Sequence, residues 1–161
     1  MAPSDPEIGV ANEGELEGVL ALQKRAFATA AELCGDWSIP PLVQTLDQLA
    51  EECRASLVLV ARSDGALVGT VRSRWEGDTV HVCRLAVDPA FRRRGIARRL
   101  LAELESRALA GKPAPARFAL FTAEVDRGAV ALYEGCGYRI LRTERPAAGP
   151  ALVHMEKPAA G

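Results

Sequence analysis

Hydrophobic residues recur along this chain with two different periods, and the period changes where helices give way to strands. A short apolar run at 8–11 predicts a first strand, and apolar positions three to four residues apart predict a helix over 13–30. Ser38 followed by Ile39-Pro40-Pro41 predicts the start of a second helix, since proline suits the first helical turn. Its buried stripe is expected at Leu42, Leu46, Leu49 and Ala50.

The middle of the chain alternates apolar and polar residues, which is typical of strands. Segments 57–62 and 66–75 flank the turn sequence Ser63-Asp64-Gly65, and a further strand at 79–87 follows the turn Glu76-Gly77-Asp78. We expect these three strands to form an antiparallel meander. The remaining predicted elements are a helix from 96, a strand at 117–122, a helix at 127–135 and closing strands at 138–143 and 152–156.

This order of elements predicts an α/β (α+β) fold in which one mixed sheet is flanked by helices. The chain has 161 residues, of which 48% are hydrophobic and 25% charged, and it shows no internal repeat or dividing linker. We therefore expect a single domain over 1–161 with its core at about 7–157. The ends, before Glu7 and after Lys157, are expected to be disordered.

Charge and cysteine content exclude several classes of function. The net charge is −1, so no general affinity for nucleic acid or acidic membranes is expected. The four cysteines form no Cys-x-x-Cys motif and the two histidines are far apart, which indicates neither a metal site nor a disulfide framework. Free thiols, the absence of a signal-like N-terminus and the absence of a long apolar run favour a cytoplasmic protein.

One segment, Arg92-Arg93-Arg94-Gly95-Ile96-Ala97, carries clear chemistry. It follows the strand at 79–87 and leads into an amphipathic helix pattern that continues from Arg98. A glycine-containing turn between a strand and a helix leaves backbone N–H groups unpaired at the positive end of the helix dipole. The segment therefore predicts an anion site for phosphates, although the nucleoside-triphosphate and dinucleotide loop motifs are both absent.

The order Arg-x-x-Gly-x-Ala after a strand resembles the pyrophosphate-binding loop of the GNAT superfamily of acetyl-coenzyme A dependent N-acetyltransferases. A second segment, 129–138, resembles the late helix of that family, in which a tyrosine precedes a Gly-aromatic pair, here Tyr133 and Gly137-Tyr138. The resemblance extends over essentially the whole chain. It implies a mostly antiparallel sheet of six to seven strands with about four helices, splayed between the fourth and fifth strands, where pantetheine binds.

The resemblance also implies acetyl-CoA as cosubstrate, an amine as acceptor, no metal, and a set of coenzyme contacts. These contacts are Leu85, Ala86, Val87, Arg92, Arg93, Arg94, Gly95, Ile96, Ala97, Arg98, Asp126 and Tyr133. Asp126 departs from the family pattern, which commonly has asparagine at this position. Because an ionised Asp can only accept hydrogen bonds, capping of the helix that starts at Arg127 is the expected role of Asp126.

Acetyl transfer to an amine requires a base, because an alkylamine is deprotonated in only about one molecule in a thousand or fewer at pH 7. Alternation puts His81, Cys83, Leu85 and Val87 on one strand face. His81 falls where protein-lysine acetyltransferases of the superfamily carry a glutamate base, and histidine titrates near neutrality. The alternative is that His81 is a half-buried strand residue with a backbone partner.

A departing thiolate requires a proton, and Tyr133 matches the usual proton donor of the family. The alternative is that Tyr133 is an aromatic core residue on an apolar helix face. A backbone N–H near 85–87 would stabilise the oxyanion. Ribosomal-protein acetyltransferases of the family place a glutamate on the fifth strand, where this chain has Phe121, so that route is closed.

The acceptor pocket of the family nominates six residues, which are Phe27, Trp37, Arg72, Arg74, Trp75 and Glu76. Arg72 and Arg74 share a strand face and could clamp a carboxylate, or could simply be solvated. Four acidic residues could instead attract a cationic amine: Glu32, Asp36, Glu76 and Glu124. An amino acid, a polyamine, an aminoglycoside, a peptide N-terminus and a lysine all stay open as acceptors, and a homodimer is left open too.

Two other classes of function are weighed against an acetyltransferase. One is a coenzyme-sensing or structural domain that binds acetyl-CoA without catalysis, against which the retention of Tyr133 argues. The other is a nucleic-acid binder that would use the arginines at 92–94, 98 and 99. The near-zero net charge and the absence of interleaved aromatic residues disfavour nucleic-acid binding.

Overall fold

The computed structural model describes residues 5–159, and within that part of the chain seven strands form one sheet. The strands are β1 Glu7–Val10, β2 Leu57–Ser63, β3 Ala66–Glu76, β4 Thr79–Val87, β5 Arg117–Ala123, β6 Arg139–Glu144 and β7 Leu152–Pro158. The helices are α1 Leu16–Cys34, α2 Pro40–Val43, α3 Leu46–Ala55, α4 Ile96–Leu109 and α5 Arg127–Gly135. The strand order is β1-β2-β3-β4-β5-β7-β6, and β4–β5 is the parallel pair among antiparallel neighbours. The predicted fold class, a mixed and mostly antiparallel sheet with flanking helices, is confirmed.

Each face of the sheet is covered by apolar helix positions. Residues of α4 at helical spacing, such as Leu100 and Leu104, are completely buried against strand residues such as Phe118. On the other face, Val19 of α1 and Leu49 of α3 pack together with Val60 of β2 to form a second buried cluster. Two layers of helices therefore hold the sheet between them.

The predicted meander is confirmed, since β2, β3 and β4 pair antiparallel in sequence order. The turn between β2 and β3 contains two residues, Asp64 and Gly65, both with positive φ (48° and 83°). Such a turn follows the right-handed twist of the flanking strands. Ser63, which we predicted in the turn, ends β2 instead.

The predicted second helix is divided in two, so a single helix from Ser38 to Ala50 was wrong. Gln44 at the C-cap of α2 is extended, and α3 begins anew with its own N-cap. Thr45 Oγ1 accepts from the Gln48 N–H at 3.2 Å, while Gln48 Oε1 accepts from the Thr45 N–H at 2.9 Å. This reciprocal capping satisfies two backbone donors, which explains why the helix restarts here.

The ends of the described chain are bonded to the fold. β7 continues to Pro158, and the Ala159 N–H donates to the Ala116 carbonyl at 3.0 Å. Arg99 Nη2 donates to the Pro6 carbonyl at 2.9 Å. Disorder was therefore the wrong expectation for these residues, and residues 1–4 and 160–161 lie outside the described part.

β4 and β5 separate shortly after they begin to pair. Three residue pairs join them, the last of which is His81 with Ala119. Beyond that point β5 continues to pair with β7, whereas β4 pairs with β3 alone. The predicted splay between the fourth and fifth strands is confirmed, and it leaves one edge of β4 without a strand partner.

A bulge in β4 reverses the alternation of its side chains. The pairing with β3 shifts register, and Arg84 at the shift has φ of +54°. Leu85 and Val87 consequently pack against the same core as Val82, under α4. The prediction that they share a face with His81 was wrong, because the extra residue in the bulge shifts the alternation of side chains by one position.

Candidate active site

A cleft of about 500 Å³ opens beside the end of β4, where the sheet is splayed. Its walls are the middle of α1, the last residues of β4, the loop that follows, the start of α4 and one side of α5. Of the predicted coenzyme contacts, those that line it are Leu85, Ala86, Val87, Arg92, Arg93, Gly95, Ile96, Ala97, Arg98, Asp126 and Tyr133. The structure thus brings two segments that are separate in sequence, 85–98 and 126–133, into one cavity.

The loop before α4 has the conformation of an anion site. Gly95 is the N-cap of α4 with φ of +78°, and Arg93 has φ of +65°. Gly95 has no side chain to cap the helix, so the N–H groups of the first turn have no intrahelical or side-chain acceptor. A Cβ at Gly95 would meet no protein atom within 4 Å. Free donors and open space at the positive end of a helix dipole suit a phosphate group.

Arg92 fixes the loop to α1. Its Nη1 donates to Thr29 Oγ1 at 3.1 Å and its Nη2 donates to the Ala26 carbonyl at 3.0 Å. Both acceptors belong to the middle of α1, which forms the opposite wall of the cleft. With one hydrogen bond from each terminal nitrogen, the side chain of Arg92 holds the cleft walls together.

Arg93 and Arg94 of the loop and Arg98 of α4 have different surroundings. The guanidinium of Arg94 lies 4.9 Å from the centre of the Phe91 ring, outside the lining of the cleft. Arg98 Nη1 lies 3.5 Å from the Gly135 carbonyl at the end of α5, at the outer limit of a hydrogen bond. Arg93 and Arg98 line the cleft and are the side chains placed to add positive charge to the loop.

Tyr133 presents a free phenol to the cleft. The residue is only 8% exposed, and its hydroxyl makes no hydrogen bond with the described residues. Burial, and to a smaller extent the charge of Asp126, raises the pKa of Tyr133, so the phenol keeps its proton. In contrast, the hydroxyl of Tyr138, whose ring packs on Tyr133, donates to Glu105 Oε2 at 2.8 Å.

Asp126 caps α5, as the sequence predicted. Its Oδ1 accepts from the Ala129 N–H at 3.0 Å, which satisfies a backbone donor in the first turn. The residue also borders the cleft. Its carboxylate is therefore committed to the helix while contributing negative charge near Tyr133.

His81 lies outside the lining of the cleft, in a charged cluster on the other side of β4 from the α4 core. It pairs across the sheet with Arg74, and its Nε2 is 3.2 Å from Glu76 Oε2. Arg74 Nη2 lies 3.9 Å from the same carboxylate oxygen. The imidazole is 29% exposed, which agrees with a half-buried strand residue, but its partner is a carboxylate rather than the expected backbone group.

Arg72 and Arg74, predicted as a pair, have different environments. Arg72 is 2% exposed, and its guanidinium contacts Gln23 Oε1 at 2.9 Å, Glu52 Oε2 at 3.0 Å and Gln44 Oε1 at 3.3 Å. Arg74 is 62% exposed. Burial lowers the pKa of Arg72, and the charge of Glu52 opposes this effect. Arg72 therefore joins β3 to the helices rather than clamping a ligand together with Arg74.

These environments predict that truncation of Arg72 lowers the stability of the protein much more than truncation of Arg74. Arg72→Ala is expected to lower the free energy of unfolding by about 2–4 kcal/mol, because the variant leaves buried amide groups without their partner. Arg74→Ala is expected to change it by less than about 0.5 kcal/mol, as is usual for exposed positions. Urea unfolding of the two variants measures the difference. Equal, small losses would contradict the structural role of Arg72.

The structure does not bring the remaining predicted pocket residues together in the cleft. Phe27 lines it, whereas Trp37 is 62% exposed and Trp75 is 45% exposed, and both lie outside its lining. Phe121 of β5 is 57% exposed, and the centre of its ring lies 5.7 Å from that of His154.

Sequence reasoning did not find Gln23, which is completely buried and donates to the Pro41 carbonyl at 2.8 Å. A signal was present, since Gln23 occupies a core position of α1 between Val19 and Ala26 at helical spacing. Arg84 was also not found, because nothing in the sequence pattern announces the bulge of β4.

Among residues 5–159, no group of three or more His, Cys, Asp and Glu side chains is placed to hold a metal ion. None of the helices in this part of the chain combines the length and the apolar character needed to cross a membrane.

Comparison with known proteins gives both a family and a set of similar folds. The family model for the acetyltransferase (GNAT) domain matches residues 39–159. The PaiA N-acetyltransferase of Thermoplasma acidophilum, solved with coenzyme A, superposes with a TM-score of 0.79 at 18% identity, covering 96% of this chain and 99% of that one. The ribosomal-protein-S18-alanine N-acetyltransferase of Escherichia coli gives a TM-score of 0.74 at 20% identity, covering 97% and 95%.

YncA of Salmonella typhimurium, solved with its cofactor acetyl-CoA, has a TM-score of 0.76 at 17% identity and covers 98% of this chain and 96% of its own. At these levels of identity the three structures show a shared fold. The family match is more specific, and it spans most of the chain, including the loop before α4 and the helix that carries Tyr133. The chain therefore belongs to the GNAT family of acetyltransferases.

Proposed function

We propose that the protein transfers an acetyl group from acetyl-CoA to a primary amine by direct attack while both substrates are bound. The observation that carries this proposal is the cleft, which joins the loop around Gly95 to the free phenol of Tyr133. The first feature binds phosphates and the second donates a proton. An acyl-CoA donor requires both, because it carries a pyrophosphate and releases a thiolate.

The cleft provides groups for each part of the coenzyme. The N–H groups of the first turn of α4, together with Arg93 and Arg98, would bind the pyrophosphate. The edge of β4 beyond His81 has no strand partner, so its backbone is free to bind the amide groups of pantetheine. When bound, acetyl-CoA would supply an acetyl group activated as a thioester.

Tyr133 is proposed as the proton donor. Its raised pKa keeps the phenol protonated, and its hydroxyl proton is not committed to any described neighbour. A proton held at this oxygen is available for a thiolate that leaves within the cleft. A backbone N–H between Leu85 and Val87, on the cleft wall, would stabilise negative charge that develops on the carbonyl oxygen.

His81 is proposed to accept the proton of the amine, directly or through a water molecule. An alkylamine is almost entirely protonated at pH 7, and removing its proton costs about 4–5 kcal/mol. A positioned base therefore accelerates the reaction. This proposal is supported by the position of His81 on β4, at the last residue pair before β5 departs. Glu76, 3.2 Å from Nε2, would orient the ring.

The chain offers a matched control for this role. We expect His81→Ala to slow turnover by roughly 10- to 100-fold at neutral pH and to remove the acid limb of the pH–rate profile, with acetyl-CoA affinity unchanged. His154 also lies next to a glutamate, with Nε2 2.8 Å from Glu144 Oε1, but it is on β7. His154→Ala should retain the limb. Steady-state kinetics from pH 5.5 to 9 tests both variants. If both keep the acid limb of the pH–rate profile, the base is a different group.

The proposed function is tested by an acetyl-transfer screen that measures thiol release. Amino acids, polyamines, aminoglycosides, peptides with free N-termini and lysine-containing peptides would each be offered with acetyl-CoA. Release that depends on the amine, with a product heavier by one acetyl group, supports the proposal. Calorimetric binding of acetyl-CoA without turnover in any class would instead favour a coenzyme sensor.

Direct attack is tested separately. Initial-rate plots should intersect when both substrates are varied, and mass spectrometry of the enzyme with acetyl-CoA alone should show no added acetyl group. Parallel plots and an acetylated enzyme would indicate a covalent route.

A further inference from the structure

Arg84 has a backbone conformation that arginine rarely adopts. Three residues other than glycine have positive φ among those described, namely Asp64, Arg84 and Arg93. Asp64 belongs to a tight turn and Arg93 to the loop before α4, where such angles are common. Arg84 lies within a strand, with φ of +54° in the bulge of β4. Strain of this kind is concentrated at functional sites.

The side chain of Arg84 is incompletely satisfied. Its Nε is buried and has no hydrogen-bond partner among the described residues. Buried donors in folded proteins nearly always have an acceptor, so an exception requires a reason. The residue as a whole is partly exposed, so it is not sealed within the core.

Arg84 is also surrounded by positive charge. Burial raises the pKa of the Cys83 thiol, while the charges of Arg74, Arg84 and Arg72 oppose that rise, which places three guanidinium groups around one thiol. Arg72 is neutralised by Glu52 at 3.0 Å, and Arg74 has a carboxylate at 3.9 Å. Arg84 has no ion pair of its own among the described residues, so the cluster retains a positive charge.

This charge lies next to the proposed reaction centre. Arg84 directly precedes Leu85, which lines the cleft. The charge of Arg84 acts on Arg72 and Cys83, which lie on the opposite side of the strand. An acceptor that approaches the thioester from that side would pass the guanidinium. A planar guanidinium binds a carboxylate through two parallel N–H donors, and Nε–H is one of them.

We propose that Arg84 binds a carboxylate of the acceptor, so that preferred acceptors are amines that also carry a carboxylate group, as free amino acids do. This inference rests on the proposed acetyl transfer. A change of side-chain rotamer turns Nε–H toward the ligand, which then supplies the acceptor that this donor lacks. The carboxylate also balances the charge of the three arginines.

Matched acceptor pairs test the proposal. Glycine and glycinamide, L-methionine and L-methioninamide, and β-alanine and β-alaninamide would be compared by kcat/KM with acetyl-CoA. The amine of each carboxamide is less basic, so intrinsic reactivity favours the carboxamide, and a preference for the acid must come from the protein. We expect the acid to be preferred in at least one pair, and Arg84→Met to reduce that preference by about 10- to 100-fold.

Two controls keep the assignment specific. Arg139→Met on the exposed strand β6 should retain the preference. Loss of the preference in Arg74→Met but not in Arg84→Met would overturn the assignment. Turnover without preference in any pair would overturn the inference and leave acetyl transfer standing. Absence of thiol release from every acceptor class would overturn the proposed function itself.

A second readout does not depend on turnover. Arg84→Met removes an unsatisfied donor and a charge that repels its neighbours, so its urea midpoint should equal or exceed that of the unmodified protein. Arg72→Met should lower the midpoint, because Arg72 is fully partnered. A comparable fall for Arg84→Met would show that Arg84 is structural and would overturn the proposal.

Discussion

Replacement of Tyr133 by Phe is expected to leave the affinity for acetyl-CoA nearly unchanged and to slow acetyl transfer by roughly ten- to ten-thousand-fold. The substitution removes one oxygen atom and keeps the ring that packs against Tyr138. Because the hydroxyl makes no hydrogen bond with described residues, its loss should cost little stability. The expected defect is therefore chemical, and it should appear in kcat rather than in binding.

Tyr138, the second tyrosine of the chain, is a matched control for this experiment. Its hydroxyl donates to Glu105, which also pairs with Lys157 at 2.5 Å. Tyr138→Phe should therefore lower the free energy of unfolding by about 0.5–1.5 kcal/mol while turnover stays near that of the unmodified protein. Equal turnover in Tyr133→Phe and Tyr138→Phe would mean that solvent protonates the thiolate and that Tyr133 only packs.

Local sequence patterns predicted the strand, loop and helix that form the cleft. The strand at 79–87, the glycine-containing loop and the helix from 96 are contiguous in sequence, so period and turn chemistry suffice to place them. Asp126 as the cap of α5 is a local contact of the same kind. The splay between β4 and β5, in contrast, was predicted only from the resemblance of two motifs to a family.

Contacts that span long sequence distances could not be predicted. Arg72 is held by Gln23, Gln44 and Glu52, which belong to three separate segments, and only the folded chain shows that these partners surround it. An arginine on a strand with such partners has the same sequence pattern as a solvated one. The burial of Arg72 and the exposure of Arg74 therefore followed from tertiary packing alone.

The bulge of β4 shows how one irregular residue changes a functional prediction. Strict alternation placed His81 on the face of Leu85, but the extra residue at Arg84 moves Leu85 to the face of the α4 core. The strand thereby presents Leu85 to the donor cleft on one side and His81 to the opposite side.

Replacement of Gly95 by Val is expected to weaken acetyl-CoA binding by about 100-fold or more while the protein still folds. A Cβ at this position meets no protein atom within 4 Å, so the added methyl groups would occupy the space above the free N–H groups of α4. Loss of two charge-assisted hydrogen bonds to phosphate accounts for an effect of that size. Calorimetric titration with acetyl-CoA measures it.

Gly65→Val separates the effect on binding from the strain of the backbone. Gly65 has φ of +83°, close to the +78° of Gly95, and it also has no heavy atom within 4 Å of an added Cβ. Valine at a left-handed position should cost about 1–2 kcal/mol of stability in both variants. Gly65 lies in the turn between β2 and β3, so only Gly95→Val should lose affinity for the coenzyme. Equal affinity in the two folded variants would remove the loop from the binding site, because the strain they share would then be the only consequence of either substitution.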